Sequence, residues 1–331
     1  MDFSNDKPRI LIVDDEPANL KVMREVLGNQ YRMSFAKSGA AALALLEKEQ
    51  PKLILLDIMM PDMNGFEVCE ILKSTPALSH IPIIFVTALG DESDEFKGFE
   101  LGAVDYITKP ISPAIVRARV KTHLSLVQAE QLKQAYVDLV HRLGRAAEYK
   151  DTDTGEHIAR MSQYSKLLAL EFGMGEQQAE LLRQAAPMHD VGKIGIPDAI
   201  LLKPGRLTPD EFDHMKQHAA IGAQILANSS SALLQLAHKL AIEHHEKWDG
   251  SGYPNGLKGE QISVEGRIVA IADVFDALTA KRPYKEAWGV EEALEHMQAQ
   301  AGKHFDPHLI NLFVNKLDAI IAIKSAHQEQ H

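Results

Sequence analysis

Short apolar runs alternate with helical periodicity over residues 8 to 124. Runs that are short and rich in Ile, Leu and Val predict strands, and apolar residues that return every three or four positions predict helices. Strands that alternate with helices imply a parallel sheet covered on both faces. The predicted strands are "RILIVDD", "YRMSFA", "KLILLD", "IPIIFVTA" and "DYITKP", and the predicted helices are "NLKVMREVLG", "AAALALLEKE", "GFEVCEILKS", "DEFKGFELG" and a segment beginning near Pro113.

The segment from about 111 to 147 has the pattern of one long helix. Within it, Leu132, Tyr136, Leu139 and Leu143 follow one another at steps of 4, 3 and 4 positions, which makes a short heptad-like seam. Two interpretations remain open. The seam packs on the helix's own domain, or it forms an intermolecular coiled coil.

Strand patterns end near residue 148, and the rest of the chain predicts a bundle of helices. Thr208-Pro209-Asp210-Glu211 has the composition of a capped helix start. A chain of 331 residues divided in this way predicts an α/β domain over 1–124, a helical linker over 125–144 and an all-α domain over 145–331. Helices are expected near 154–172, 176–190, 209–227, 231–247, 264–281, 290–300 and 307–323.

The composition narrows the class of protein. Hydrophobic residues make up 45% of the chain and charged residues 24%, as in ordinary globular proteins. The net charge of −11 and the lack of a basic recognition helix argue against DNA binding. The single cysteine, Cys69, suits a reducing compartment, and neither a signal peptide nor a membrane span is recognisable. We therefore expect a cytoplasmic protein.

Polar residues stand at the carboxyl ends of the predicted strands, where open parallel sheets bind ligands. Asp14 and Asp15 follow the first strand, Asp57 the third, Thr87 the fourth and Lys109 the fifth. Three converging carboxylates would repel one another and therefore need a cation. Oxygen-only ligands suit Mg²⁺, which also accepts phosphate in its coordination shell.

These residues closely resemble the receiver domain of bacterial response regulators, which has a flavodoxin-like fold with a five-stranded parallel sheet. The resemblance implies phosphorylation by a cognate sensor histidine kinase, with Asp57 as the phosphoacceptor. By the same resemblance, Mg²⁺ is held by Asp14, Asp15, Asp57 and the backbone carbonyl of Met59, Lys109 pairs with the phosphate, and Thr87 and Tyr106 reorient on phosphorylation. For Tyr106, a partly buried strand aromatic is an equally weighted alternative.

Metal-ligand residues accumulate on separate helices of the second half, where most of the 15 histidines lie. Asp273 stands in an otherwise apolar stretch, where an unpaired carboxylate would be costly and metal coordination would remove that cost. Mixed imidazole and carboxylate ligands favour Fe, Mn, Zn or Ni, and two close divalent ions suit phosphodiester hydrolysis because they activate and orient a water. The candidate ligands are Asp153 with His157, His189 with Asp190, His218, His244 with His245, and Asp273.

Cationic side chains near these positions are candidate partners of substrate phosphates. Lys193 follows His189 by about one turn, and Arg282 and Lys285 lie in "KRPYKEAW". A solvated surface loop is an equally weighted alternative for the last two residues. The glycine-rich stretch "DGSGYPNG" lacks the Lys-Ser/Thr ending of a nucleotide P-loop, so we expect it to shape the rim of the site, with Tyr253 in a structural, partner or substrate contact.

The C-terminal half resembles the HD-GYP family, a subgroup of HD phosphohydrolases that degrades cyclic di-GMP. The resemblance is carried by "TGEHIARMS", "HDVGKIGIPDAILLKPGRLT", "HHEKWDGSGYPNGL", "ADVFDALTAKRPYKEAW" and "AGKHFDP". It implies an all-α HD-type bundle, catalytic roles for Asp190 and Lys193, and substrate contacts from Lys193, Arg282 and Lys285. The metal ligands that it implies are His157, His189, Asp190, His218, His244, His245 and Asp273.

The chain departs from some family members at Asp153, where they have Glu, a position associated with a third metal. We therefore expect two transition metal ions, Fe or Mn before Zn or Ni, with Asp153 as a further candidate ligand. Asp276, three positions after the candidate ligand Asp273, is expected to be structural. The same expectation holds for His141, His214, His238, His304 and His308.

Together the two resemblances predict a response regulator in which phosphorylation controls hydrolysis of cyclic di-GMP to pGpG and/or GMP. A homodimer through the receiver and the linker helix is the preferred route of control. Two alternatives stay open. One is an HD-type hydrolase of another cyclic or polyphosphate nucleotide, and the other is a catalytically silent module that binds a dinucleotide or a partner protein.

Overall fold

The structure, a computed structural model, describes residues 7–88, 92–150, 155–280 and 287–327. Contacts between residues divide the chain into two compact units, Met1–Gln134 and Ala135–His331. In the described part of the chain, no helix is both long enough and apolar enough to cross a membrane.

The first unit is built on a five-stranded parallel sheet with the order β2-β1-β3-β4-β5. This order and the α/β alternation confirm the predicted flavodoxin-like fold. The strands are β1 (Arg9–Val13), β2 (Arg32–Ala36), β3 (Leu53–Asp57), β4 (Ile83–Thr87) and β5 (Asp105–Thr108). The helices between them are α1 (Pro17–Leu27), α2 (Gly39–Leu46), α3 (Gly65–Ser74) and α4 (Glu92–Glu100).

Two apolar cores lie on the two faces of this sheet. Ile10 and Ile12 of β1 pack into one core, and Leu11 and Val13 pack into the other, because successive side chains of a strand point to opposite faces. Since both faces are covered, the central strands are apolar at nearly every position rather than at alternate ones. The carboxyl ends of β1, β3 and β4 are therefore fixed close together, and Asp57 is the last residue of β3.

A single helix, α5 (Pro113–Glu148), spans the predicted linker and runs from the first unit into the second. Val137, Val140 and Ala147 are buried in the core of the second unit. Within the predicted seam, Tyr136 packs partly against that core. The three leucines of the seam stay exposed: Leu132 at 71%, Leu139 at 55% and Leu143 at 47%. Packing on its own domain thus accounts for only part of the seam.

The second unit is helical, as predicted, and its described residues contain no strand beyond an isolated bridge between Ala301 and Phe305. At its centre, Tyr164 packs edge-on against Phe275 and Phe313. The helices that follow α5 are α6 (Gly155–Glu171), α7 (Glu176–Ala185), α8 (Asp198–Leu201), α9 (Pro209–Leu226), α10 (Ala232–Glu243), α11 (Val264–Thr279), α12 (Val290–Gln298), α13 (Pro307–Val314) and α14 (Leu317–Ala326).

Three helix predictions are wrong in extent. The helix expected over 307–323 is two helices, α13 and α14. The helix expected over 176–190 ends at Ala185, because Pro187 lacks the backbone N–H that an α-helix needs, and two 3₁₀ segments follow. The helix expected over 231–247 ends at Glu243. The Thr208 start is confirmed, with the reciprocal capping bonds between Thr208 and Glu211.

Candidate metal centre

Five segments of the second unit bring the predicted ligands together. His157 lies in α6, His218 in α9 and Asp273 in α11, whereas His189 and Asp190 connect two 3₁₀ segments and His244 and His245 follow α10. The side chains of His157, His189, Asp190, His218 and His244 are buried, and those of His245 and Asp273 are partly buried.

The ligand atoms form two clusters. Within each cluster, one nitrogen or carboxylate oxygen per residue lies within 4.8 Å of those of the others. Asp273 borders the second cluster, since its Oδ1 lies 3.5 Å from His157 Nε2. The first cluster contains Asp190, His218, His244 and His245, and the second contains Glu148, His157 and His189.

Asp190 stands between the two clusters. Its Oδ1 lies 3.2 Å from His218 Nε2 and 3.4 Å from His244 Nε2. Its Oδ2 lies 3.3 Å from His189 Nε2, on the side of the second cluster, and 2.8 Å from the ammonium of Lys193. One carboxylate oxygen therefore faces each cluster, the arrangement that a carboxylate bridging two metal ions requires.

Four imidazoles are oriented with Nε2 toward the centre, because each Nδ1 bonds an oxygen outside it. His157 Nδ1 lies 2.7 Å from the carboxylate of Asp276. Main-chain carbonyls serve the other three: His189 bonds Ala186 O at 2.9 Å, His218 bonds Met215 O at 2.6 Å, and His244 bonds Leu240 O at 3.0 Å. An oxygen at Nδ1 fixes the proton there and leaves the Nε2 lone pair for a metal ion.

This donor set fits divalent metal ions. His189 Nε2 and Asp190 Oδ1 are buried and have no hydrogen-bond partner in the described part of the chain. His218 Nε2 faces His244 Nε2 at 3.4 Å, where two lone pairs would repel one another without a cation between or beside them. Coordination by a metal ion would satisfy all four atoms.

The charge states of His244, His245 and Asp190 also suit coordination. Burial lowers the pKa of His244, and it lowers the pKa of His245 well below the usual value, so both rings are neutral at pH 7. Burial raises the pKa of the Asp190 carboxyl, but Lys193 and His189 outweigh it and hold that pKa well below the usual value. Neutral imidazoles beside an ionised carboxylate are the ligand forms that metal binding needs. His189 differs, because burial lowers the pKa of its ring but Asp190 outweighs that effect and raises the pKa to about 9, so a metal ion would have to displace a proton there.

Sequence reasoning missed Glu148, a member of the second cluster that is 2% exposed. Burial raises the pKa of its carboxyl to about 7. The sequence carries no signal for it, since it stands nine positions before His157 at the end of a helix with many charged residues.

Asp276, expected from the sequence to be structural, contacts one of the predicted metal ligands. It is fully buried, bonds His157 Nδ1 and receives the guanidinium of Arg160, with Nε–Oδ1 at 2.7 Å and Nη2–Oδ2 at 2.9 Å. The pair thus supports a ligand without entering either cluster. His141, His214, His238, His304 and His308 also lie outside both clusters, as expected.

Two glycines allow the close approaches that shape the centre. A Cβ at Gly192 would lie 1.9 Å from the carbonyl oxygen of His218, and one at Gly252 would lie 2.6 Å from that of His245. Next to Gly252, the ring of Tyr253 packs at a tilt of 34° against the ring of His245, with the ring centroids 4.7 Å apart. The glycine-rich stretch therefore forms one wall of the first cluster, in agreement with the expected rim.

Three predicted residues, Asp153, Arg282 and Lys285, lie outside the described residues.

The receiver site brings Asp14, Asp15 and Asp57 together, with one oxygen of each within 4.8 Å of the others. Lys109 Nζ lies 2.6 Å from Asp57 Oδ2 and 3.0 Å from Asp14 Oδ2. Burial raises the pKa of Asp57, and the Lys109 ammonium opposes that shift. The backbone N–H of Met59 donates to Asp57 Oδ1 at 3.2 Å.

The two predicted switch residues are both buried. Thr87 ends β4 at 1% exposure. Tyr106 is 6% exposed and packs against Phe85 and Phe99, and a Cβ at Gly98 would meet its hydroxyl at 1.8 Å. Tyr106 therefore lies with its ring inside the core of the receiver unit.

Known proteins match both units. A model of the HD domain matches residues 141–309, and a model of the response regulator receiver domain matches residues 10–121. A probable cyclic di-GMP phosphodiesterase of Vibrio cholerae is 42% identical over 97% of this chain and 80% of its own length. A cyclic di-GMP phosphodiesterase response regulator of Xanthomonas campestris is 40% identical over 91% of this chain and 86% of its own.

A further relative is named for another substrate. A 3'3'-cGAMP-specific phosphodiesterase of Vibrio cholerae is 46% identical over 59% of this chain and 37% of its own length. In this chain the receiver match precedes the HD match, and the two relatives that match nearly the whole chain cover both regions. The chain therefore belongs to the response regulators that join a receiver domain to an HD-GYP phosphohydrolase domain.

Proposed function

We propose that this chain is a two-component response regulator in which phosphorylation of Asp57 controls metal-dependent hydrolysis of cyclic di-GMP to pGpG and/or GMP. The observation that carries the proposal is the position of Asp190, with one carboxylate oxygen facing each of two clusters of metal ligands. Two such sites joined by a carboxylate suit attack on a phosphodiester.

The residues that would hold the metal ions follow the two clusters. Asp190 would bind both ions, His218, His244 and His245 the first, and His157, His189 and Asp273 the second. When bound, two divalent ions supply an activated water and neutralise charge that develops on phosphorus. Mixed nitrogen and oxygen ligands favour Fe or Mn, with Zn or Ni as alternatives.

The chain's own cationic and aromatic groups would bind and orient the substrate. Lys193 places its ammonium beside Asp190, at the junction of the clusters, where a phosphate approaching both metal sites meets a fixed positive charge. Arg282 and Lys285 are the further candidate phosphate partners. Tyr253 offers a ring beside His245 at the edge of the first cluster, where a guanine base can pack.

The substrate preference is tested with a panel of nucleotides. The protein, purified anaerobically and loaded with Fe²⁺ or Mn²⁺, is expected to hydrolyse cyclic di-GMP with a higher kcat/KM than 3'3'-cGAMP or a nucleoside polyphosphate. Chromatography of the products measures each rate. The relative with the 3'3'-cGAMP name makes the mixed dinucleotide the second candidate. A higher kcat/KM for 3'3'-cGAMP would make that dinucleotide, rather than cyclic di-GMP, the substrate. Binding of a nucleotide without turnover would favour a catalytically silent binding module.

Control by the receiver is tested at Asp57. Asp14, Asp15, Asp57 and the Met59 carbonyl would hold Mg²⁺, Lys109 would pair with the phosphate, and Thr87 and Tyr106 would respond to it. Beryllium fluoride with Mg²⁺ is expected to change the hydrolysis rate of the wild type and to leave Asp57→Asn unchanged, because the reagent needs the carboxylate oxygen of Asp57. Equal hydrolysis rates of the treated and untreated wild type would contradict regulation of the enzyme by the receiver.

A homodimer along α5 is part of the proposal. Its support is the exposed leucine seam at Leu132, Leu139 and Leu143, which a second copy of the helix would cover. The receiver can bias the output only if its phosphorylated state makes different contacts, and a rearranged dimer would supply them. Sedimentation of the full chain as a monomer at micromolar concentration would contradict the dimer.

A further inference from the structure

Glu148, the last residue of α5, lies inside the metal centre but outside the ligand set that the family motifs imply. Its side chain is 3% exposed, and its Oε1 lies 3.7 Å from His157 Nε2. Its Oε2 is buried and has no hydrogen-bond partner among the described residues. A buried carboxylate in this state is costly unless a cation is beside it.

The lysine and the arginine of this part of the core are engaged with other carboxylates. Lys193 Nζ pairs with Asp190 at 2.8 Å, and the guanidinium of Arg160 is bound to Asp276 at 2.7 Å. Neither pairing extends to the unpartnered oxygen of Glu148. A metal ion in the second cluster would provide the compensating charge.

The geometry of the second cluster fits a common ion. One carboxylate oxygen of Glu148 and one nitrogen each of His157 and His189 all lie within 4.8 Å of one another. Two ligand atoms bound at about 2.1 Å to one ion are separated by about 3 to 3.5 Å. The observed 3.7 Å between Glu148 Oε1 and His157 Nε2 is therefore within a small adjustment of coordination.

The two imidazoles already face this point. His157 and His189 each bond an oxygen through Nδ1, so both Nε2 lone pairs are directed at the cluster that Glu148 enters. With the carboxylates of Asp190 and Asp273, the two imidazoles and Glu148 make five donors. Mixed nitrogen and oxygen donors suit a first-row divalent transition metal, and six-coordination would leave one position for water or substrate.

We propose that Glu148 is an additional metal ligand, binding the ion shared by His157 and His189. A ligand of this centre is thereby supplied by α5, the helix that begins in the receiver unit. The inference rests on the metal centre of the proposed function and adds a coordinating residue to it.

Metal binding tests the ligand without relying on activity. Glu148→Gln keeps the size of the side chain and removes its charge. Metal content per chain, measured by mass spectrometry after dialysis, is expected to fall, and chelator competition is expected to show that one ion binds at least about 10-fold more weakly. Glu171→Gln is the matched control, because Glu171 pairs with Lys316 away from the centre and should leave both values unchanged.

A second variant separates coordination from folding. Glu148→Asp keeps the charge but withdraws it by one methylene, so the same ion should bind more weakly than in wild type and its Co²⁺ absorption spectrum should change. If either folded variant matched the wild type in metal content, metal affinity and Co²⁺ spectrum, Glu148 would not be a metal ligand. The proposed function would be unaffected by that result. If the wild type itself binds no divalent metal, the proposed function fails together with this inference.

Discussion

Replacing Asp190 with asparagine is expected to reduce hydrolysis of cyclic di-GMP by at least about 1,000-fold, which corresponds to about 4 kcal/mol of transition-state stabilisation. The reason is the position of the carboxylate: Oδ1 faces His218 and His244, while Oδ2 faces His189 and Lys193. Asparagine keeps the shape but replaces one anionic oxygen by an amide nitrogen, which cannot bind a metal ion in this way. The variant therefore lacks a carboxylate that can bind metal ions in both clusters.

The experiment compares kcat and metal content in the same preparations. Asp190→Asn should lose turnover and bound metal, while its far-ultraviolet circular dichroism stays that of the wild type. Asp318→Asn, an exposed aspartate of α14, is the matched control and should keep full turnover. Wild-type turnover by the folded Asp190→Asn variant would mean that the assigned centre is wrong.

The fold could be predicted from the sequence because its signals are local. Strand runs such as "KLILLD" are apolar at nearly every position, and the structure buries all five residues of β3. Thr208 with Glu211 marks a helix start that the structure reproduces. The errors also have local causes. Pro187 ends α7 within a stretch that otherwise continues the apolar periodicity, and no breaker residue marks the division between α13 and α14.

The ligands could be predicted through motifs, and their supports could not. His189 with Asp190 and His244 with His245 are adjacent in sequence, so a short pattern reveals them. The contacts that fix His157 join residues 119 positions apart, and the pairing of Asp276 with Arg160 spans 116 positions. One sequence without a structure holds no signal for such a pairing.

Replacing Arg160 with methionine is expected to lower the free energy of unfolding of the second unit by about 3 to 5 kcal/mol. The reason is that the buried carboxylate of Asp276 then loses its cationic partner. Arg160 and Asp276 are 5% and 0% exposed, and the guanidinium meets the carboxylate through two hydrogen bonds. Both tryptophans, Trp248 and Trp288, lie in the second unit, so fluorescence during urea unfolding of the metal-free protein reports on that unit. Arg183→Met, which breaks the partly exposed pair with Glu180, should cost no more than about 1 kcal/mol.

Removing both charges separates stability from metal binding. The double variant Arg160→Met/Asp276→Leu leaves no unpaired ion in the core, so it should recover most of the stability that Arg160→Met loses. Metal affinity should stay at least about 10-fold below that of the wild type, because His157 Nδ1 has lost the acceptor that orients its ring. A double variant that regained both properties would show that Asp276 only neutralises Arg160. Recovery of stability alone would show that the same carboxylate also holds a metal ligand in place.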